Sequence, residues 1–327
     1  MRSPINPAGL AALVALWFVV HVPVASAQGP AFLLSWGTAG SGDGQFNKPA
    51  GITVGGDGNV YVADEFNHRI QVFTSSGGFV RTWGSQGAGD GEFSAPHGVA
   101  VDGDGNVYVA DEGNNRIQKF TGTGTFLTTW GSMGSGDGEM VFPAGVAVSG
   151  SEVYVADAGN NRIEVFSTAG AFLTKWGGPG AGDGQFSQPI GVALDGAGHV
   201  YVADASNSRV QVFTTGGAFL TKWGTPGTGD GEFGGPYGIS LDHGGNVYVS
   251  DIYNNRIQAF SSAGAFLVGW GSQGSGDGEF SSPWDVAVDA NGFVYVADAL
   301  NNRVQKFSAP PTPAKKTTWG ALKTRYR

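Results

Sequence analysis

Short apolar runs of five or six residues, separated by clusters of Gly, Asp, Asn and Ser, recur along most of this chain. Between Gly98 and Trp130 the runs are Gly98–Asp102, Asn106–Asp111, Arg116–Phe120 and Thr125–Trp130. Their length, their Val, Tyr and Phe content and their Gly-rich borders predict four strands. Gly103-Asp104-Gly105 supplies the hairpin turn between the first two. Val107-Tyr108-Val109-Ala110 is apolar at successive positions, so a sheet buried on both faces is expected. The whole unit then repeats. Trp36, Trp83, Trp130, Trp176, Trp223 and Trp270 mark it at spacings of 47, 47, 46, 47 and 47 residues. Four strands per period near 45 residues predict an all-β, six-bladed β-propeller of four-stranded antiparallel blades.

The sixth copy stops at Phe307 without its fourth strand, whereas Phe32-Leu33-Leu34-Ser35-Trp36 stands ahead of the first copy. The N-terminal strand is therefore expected to complete the last blade and to remove the open edge of the ring.

The recurring Pro-x-Gly-Val-Ala-Val-Asp, Gly-Asn-Val-Tyr-Val-Ala-Asp and Asn-x-Arg-Ile segments, with Asn67-His68-Arg69-Ile70 in the first copy, resemble the NHL repeat family over residues 31–307. The resemblance implies a six-bladed propeller of the secreted bacterial type. It leaves function open, because the family includes RNA-binding regulators, extracellular sensor domains and a metal-dependent amidating lyase. The lyase relatives need histidine-ligated zinc with a tyrosine and an arginine. Only His97 and Tyr237 are expected at the channel mouth here, so that site is not assembled on one face.

Composition adds three constraints. Arg2, the apolar Ala8–Val20 and Ala25-Ser26-Ala27 read as a secretory signal peptide over residues 1–27, too short for a comfortable membrane span. The expected location is secreted: periplasmic, cell-surface or extracellular. The absence of cysteine excludes disulfides and thiolate metal sites. All 27 acidic residues lie between Asp43 and Asp298, and residues 28–307 hold 12 of the 18 basic residues, so the ring carries a net charge of −15. That disfavours nucleic acid and anionic lipid as partners. A closed ring, residues 28–307, needs no second copy to finish its sheets, and a monomer is expected.

The strand order places two loop sets on one face, which is therefore expected to be acidic. One set contains Asp43, Asp90, Asp137, Asp183, Asp230 and Asp277. The other contains Asp64, Asp111, Asp157, Asp204, Asp251 and Asp298, each five residues before an arginine, which predicts a repeated ion pair or Asx cap. One Gly-flanked carboxylate per blade suits a turn better than a calcium shell of 6–8 oxygens. The Asp102–Asn106 run likewise reads as a hairpin turn. No cofactor is assigned; calcium and zinc stay open.

Because a residue repeated six times serves the repeat, a site is sought in the departures. The position between Pro and Gly reads Ala50, His97, Ala144, Ile190, Tyr237 and Trp284, and Asp285 replaces the following glycine. His97, Tyr237, Trp284 and Asp285 are the candidate ligand-binding residues, suited to a peptide, a sugar or a cationic group. The alternative is drift at a tolerant position. His68, His199 and His243 read as loop residues, and Met140-Val141-Phe142-Pro143 as a repacked loop. No GxSxG, Walker or HExxH motif occurs, and no catalytic residue is assigned. The expected function is a binding or scaffold module for a protein, peptide or carbohydrate. The alternative is a metal-dependent lyase or lactonase in the central channel. Residues 308–327 are expected to be a Pro-rich spacer and a basic tail, frayed or serving in sorting through Trp319, Leu322 and Tyr326.

Overall fold

The computed structural model describes residues 29–310. The expected signal peptide and residues 311–327 of the tail lie outside the described residues. After β1 (Phe32–Trp36) come five complete blades. Blade 1 is β2 (Pro49–Val54), β3 (Val60–Asp64), β4 (Arg69–Phe73) and β5 (Phe79–Trp83). Blade 2 is β6 (Pro96–Val101), β7 (Val107–Asp111), β8 (Arg116–Phe120) and β9 (Phe126–Trp130). Blade 3 is β10 (Pro143–Ser149), β11 (Glu152–Asp157), β12 (Arg162–Ser167) and β13 (Phe172–Gly177). Blade 4 is β14 (Pro189–Leu194), β15 (His199–Asp204), β16 (Arg209–Thr214) and β17 (Phe219–Trp223). Blade 5 is β18 (Pro236–Leu241), β19 (Val247–Asp251), β20 (Arg256–Phe260) and β21 (Phe266–Trp270).

Blade 6 is β22 (Pro283–Val288), β23 (Val294–Asp298) and β24 (Arg303–Phe307), in the sheet order β1-β24-β23-β22. The N-terminal strand does close the ring: β1 pairs antiparallel with β24, Trp36 opposite Val304 and Phe32 opposite Phe307. An edge that would otherwise expose unpaired N–H and C=O groups is thereby covered.

The core is not inside any one sheet; it lies between successive blades. Val60, Val62 and Phe73 of blade 1 pack on Tyr295, Ala297 and Val304 of blade 6, with Trp36 against them, and the same cluster recurs at the other blade junctions. This is why Val-Tyr-Val-Ala is apolar on both faces. Each tyrosine of that run is buried, and its hydroxyl donates to a turn carboxylate, as Tyr108 does to Asp102 at 2.9 Å. Asp102 also accepts the N–H groups of Asp104 and Asn106, so the Asp102–Asn106 run folds as a capped hairpin turn.

A fixed clip organises the loops of one face. In blade 1, the Asp64 carboxylate accepts from Arg69 Nε at 2.8 Å, from Gln71 and Asn67, and from the Asn47 N–H. Arg69 in turn donates to the carbonyls of Ser41, Gly42 and Gln45. The clip therefore ties the loop between β3 and β4 to the loop that enters the blade. All six Asp–Arg pairs form, at 2.7–3.0 Å, with the carboxylates fully buried. Asp43 and its five equivalents sit in the clipped loops with their side chains exposed.

The innermost strands pack side by side around a narrow lumen, which dictates the glycine after x in Pro-x-Gly. A Cβ on Gly51 would lie 2.3 Å from the carbonyl oxygen of His97 in the next blade, and one on Gly98 equally close to that of Ala144. No helix among the described residues is long and apolar enough to cross a membrane.

Candidate functional site

The lumen is a cavity of about 230 Å³ lined by the six innermost strands. Its walls are Gly, Ala, Val, Ile and Leu, with Thr53, Ser240 and Asp285 as the polar side chains between the mouth residues and the far end. The residue between Pro and Gly stands at the mouth because a bulge after the proline turns its side chain out of the regular pleat. Ala50, Ala144 and Ile190 are small or medium and fully packed. The room they leave is filled by His97, Tyr237 and Trp284.

These three rings come together. His97 of blade 2 and Tyr237 of the opposite blade 5 have centroids 5.6 Å apart. Trp284 stacks on His97 at 5.7 Å and an interplanar angle of 25°, and lies 5.9 Å from Tyr237. Blades 2 and 5 face each other across the lumen, so the rings span it.

Asp285 serves a different purpose from its three neighbours. Its Oδ2 accepts the N–H of Ile52 in blade 1 at 2.9 Å, and its Oδ1 accepts the N–H of Val286. It fits where glycine stands elsewhere because the bulge is shifted, so that Asp285 pairs with Ala297. On the other side Ser250, in the place of an alanine, accepts from the Gly238 N–H and donates to the Trp284 carbonyl. Ser250 and Asp285 thus join blades 5, 6 and 1 around the base of Trp284. Burial pushes the Asp285 carboxyl up to about 7, partly offset by the two N–H donors.

Five residues at the mouth escaped the sequence reading of the site: Glu65, Glu112, Phe66, Tyr253 and Lys48. Glu65 and Glu112 follow the clip aspartates of neighbouring blades, where the other copies carry Ala158, Ala205, Ile252 and Ala299. Comparing this second position across the six copies would have found them. The 3-10 turns Glu65–Asn67 and Glu112–Asn114 carry them, and both act electrostatically on Tyr237. Burial, then the neighbouring Glu112, push the Glu65 carboxyl up to about 8 against the opposing pull of Lys48. Burial alone raises Glu112 to about 7. Burial lowers the His97 imidazole to about 4, so it is neutral at physiological pH. Glu65 Oε2 and His97 Nε2 have no hydrogen-bond partner among the described residues. The Lys48 ammonium lies 4.7 Å above the Phe66 ring and 5.9 Å from that of Trp284. Beside the rings, a cavity of about 450 Å³ is lined by His97, Glu112, Phe142, Ile190 and Tyr237.

His68 has a structural part, since its Nδ1 accepts the Ala95 N–H, and His199 pairs with Asp195 in a turn of the opposite face. Among the described residues no group of three His, Cys, Asp or Glu is placed to hold a metal ion.

The NHL repeat model matches residues 46–73, 93–120, 140–166, 186–213 and 280–307. Five of the six copies thus match the NHL repeat. In the ring, each match runs from the packed aromatic or Met140 before the innermost strand to the end of the third strand. Protein lin-41 of Caenorhabditis elegans is 46% identical over 54 residues, 16% of this chain and 4% of that protein, so this chain spans a small part of that relative's length. A structural genomics protein of unknown function from Bacteroides thetaiotaomicron superposes with a TM-score of 0.63, at 20% identity over 86% of this chain and 75% of the other. A gluconolactonase from Xanthomonas campestris superposes with a TM-score of 0.62, at 15% identity over 85% and 97%. At these identities the likeness is one of fold.

Proposed function

We propose that this NHL propeller is a secreted binding module that takes a protein, peptide or carbohydrate ligand at the channel mouth on the clip-bearing face. The observation that carries the reading is the concentration of departures from six-fold symmetry at one mouth. Three rings meet across the lumen, and two polar atoms beside them, Glu65 Oε2 and His97 Nε2, are buried without partners among the described residues. Buried unpartnered polar atoms are costly in a finished fold and are expected where a ligand completes them. The ring-spanning contact favours a ligand that lies over the mouth and its side cavity, since three rings cross the entrance to the lumen beneath. Secretion rests on the signal-like residues 1–27, and an acidic face on the exposed loop aspartates.

The test is capture of peptides and glycans from arrays by the wild type and by Trp284→Ala and Tyr237→Ala, with melting curves to confirm folding. Ligands retained equally by all three would refute the mouth. A metal-dependent lyase or lactonase is the second reading, favoured by the Glu65–Glu112 carboxyl pair at the mouth. Metal analysis of the purified protein separates the two, since stoichiometric zinc or calcium would move the reading to the enzyme.

A further inference from the structure

Glu65, Glu112, His97 and Tyr237 surround the mouth from blades 1, 2 and 5, and their chemistry is one-sided. Glu65 is 7% exposed and His97 6%, and each holds a polar atom with no partner among the described residues, His97 Nε2 being an acceptor when the ring carries its proton on Nδ1. Glu112 lines the side cavity beside His97 and Tyr237. Among the described residues, the charge of Lys48 opposes the rise at Glu65, and both glutamates act electrostatically on Tyr237. Around the acceptors stand the faces of Phe66, Tyr237 and Trp284, with Tyr253 exposed at the rim. Lys48, suspended over two of these rings, shows that the wall accepts an alkylammonium.

We propose that the mouth recognises an organic cation, namely the ammonium or guanidinium tip of a lysine or arginine side chain on a partner peptide, seated against Glu65, Glu112 and His97 Nε2 and walled by the aromatic rings. A cation donates several N–H groups where the site offers several lone pairs, and the rings contribute quadrupole attraction at no desolvation cost to themselves. An apolar side chain would leave the buried carboxyls unmatched, and a neutral sugar would donate hydroxyls to them without compensating their charge. The inference rests on the mouth reading above and narrows its ligand class. The groups that face Glu65 are Glu112 and Lys48, and those that face Tyr237 are Glu112, Glu65, Tyr253 and Asp285. Burial keeps the two glutamates largely protonated near neutrality. A bound cation displaces those protons, so affinity rises with pH from 6 to 8 and binding releases protons to the buffer.

The experiment titrates acetyl-Gly-Lys-Gly-amide, its arginine counterpart and the neutral norleucine counterpart into the protein by calorimetry, in two buffers of different ionisation heat. The Lys and Arg probes are expected to bind, the norleucine probe at least ~10-fold more weakly, with proton release seen as a buffer-dependent heat. Glu65→Gln with Glu112→Gln is expected to weaken the Lys probe by ~10-fold or more and to abolish the pH dependence. Lys48→Ala is expected to tighten it, because an internal competitor is removed. Equal binding of the norleucine probe, undiminished binding by the double glutamine variant, or weaker binding by Lys48→Ala would each overturn the proposal. The two levels separate cleanly: a neutral ligand whose binding is lost in Trp284→Ala sinks the cation and keeps the mouth. Ligands that ignore Trp284→Ala and Tyr237→Ala sink both.

Discussion

In five blades a glutamine follows the clip arginine by two residues, and in blade 3 that residue is Glu164. The glutamines show what the position requires. In blade 4, Gln211 Nε2 donates to the Gln185 carbonyl at 2.7 Å and to Asp204 Oδ2 at 3.1 Å, while its Oε1 accepts the Gly184 N–H. A carboxylate cannot make the two donations, and it places a second negative charge beside the buried Asp157. Arg162 Nη2 lies 2.9 Å from Glu164 Oε1, yet neither carboxyl oxygen has a well-directed hydrogen bond. A protonated Glu164 restores one of the missing donors. Burial accordingly raises the Glu164 carboxyl to about 7, opposed by Arg162 and reinforced by Asp157. Because the folded chain holds this proton more tightly than an unfolded glutamate near 4.5, its stabilising effect is complete below pH 4.5 and is lost as the pH rises towards 7. A shift of that size corresponds to at most about 3 kcal/mol, with the proton shared between Glu164 and Asp157. Glu164→Gln should therefore be nearly neutral at pH 5 and stabilising by about 2 kcal/mol at pH 8. For a ring of this size that is a rise of about 3–4 °C in melting temperature. The assay is thermal unfolding by circular dichroism of both proteins from pH 5 to 8, read as the difference between them, since Glu65, Glu112 and Asp285 titrate in the same window in both. Parallel pH profiles, or a variant less stable than wild type at pH 8, would refute the reasoning.

Three further outcomes are expected. Removing residues 29–36 uncovers the backbone edge of β24 and strips Trp36 from Tyr295 and Phe73, so the melting temperature should fall by about 10 °C or more and light scattering should rise; an unchanged midpoint would contradict ring closure. Arg209→Ala leaves the fully buried Asp204 carboxylate without its cation and frees three loop carbonyls, a loss of about 3–5 kcal/mol measurable by denaturant titration. Gly98→Ala drives a methyl group to 2.3 Å from the Ala144 carbonyl and should cost at least about 2 kcal/mol by the same measurement, whereas Gly103→Ala in an open turn should cost little.

Much of this protein was legible because its sequence is six near-copies of one physical solution. Period, strand count, the closing strand and the Asp–Arg clip all follow from local alternation and fixed short spacings, and averaging over six copies removes accidental pattern. Glu164 was equally open to view as a departure from glutamine, but its meaning needed the contacts of Gln211 and its equivalents. The mouth divides in the same way. His97, Tyr237 and Trp284 stand out as a column of unlike residues, and a single ring position brings them together. Asp285 belongs to that column too, yet only the shifted bulge reveals that its oxygens are bound to the backbone of the neighbouring blades. Glu65 and Glu112 sit fifteen residues further along their repeats than the x positions, and nothing in their local spacing aims them at the rings of blades 2, 5 and 6. Their convergence is a product of ring closure, which folds positions hundreds of residues apart onto one axis. Local hydrogen bonding and burial set the blade, and those act over a few residues. The site is set by distance across the ring and by the loss of solvent there, which exist once the sixth blade has met the first.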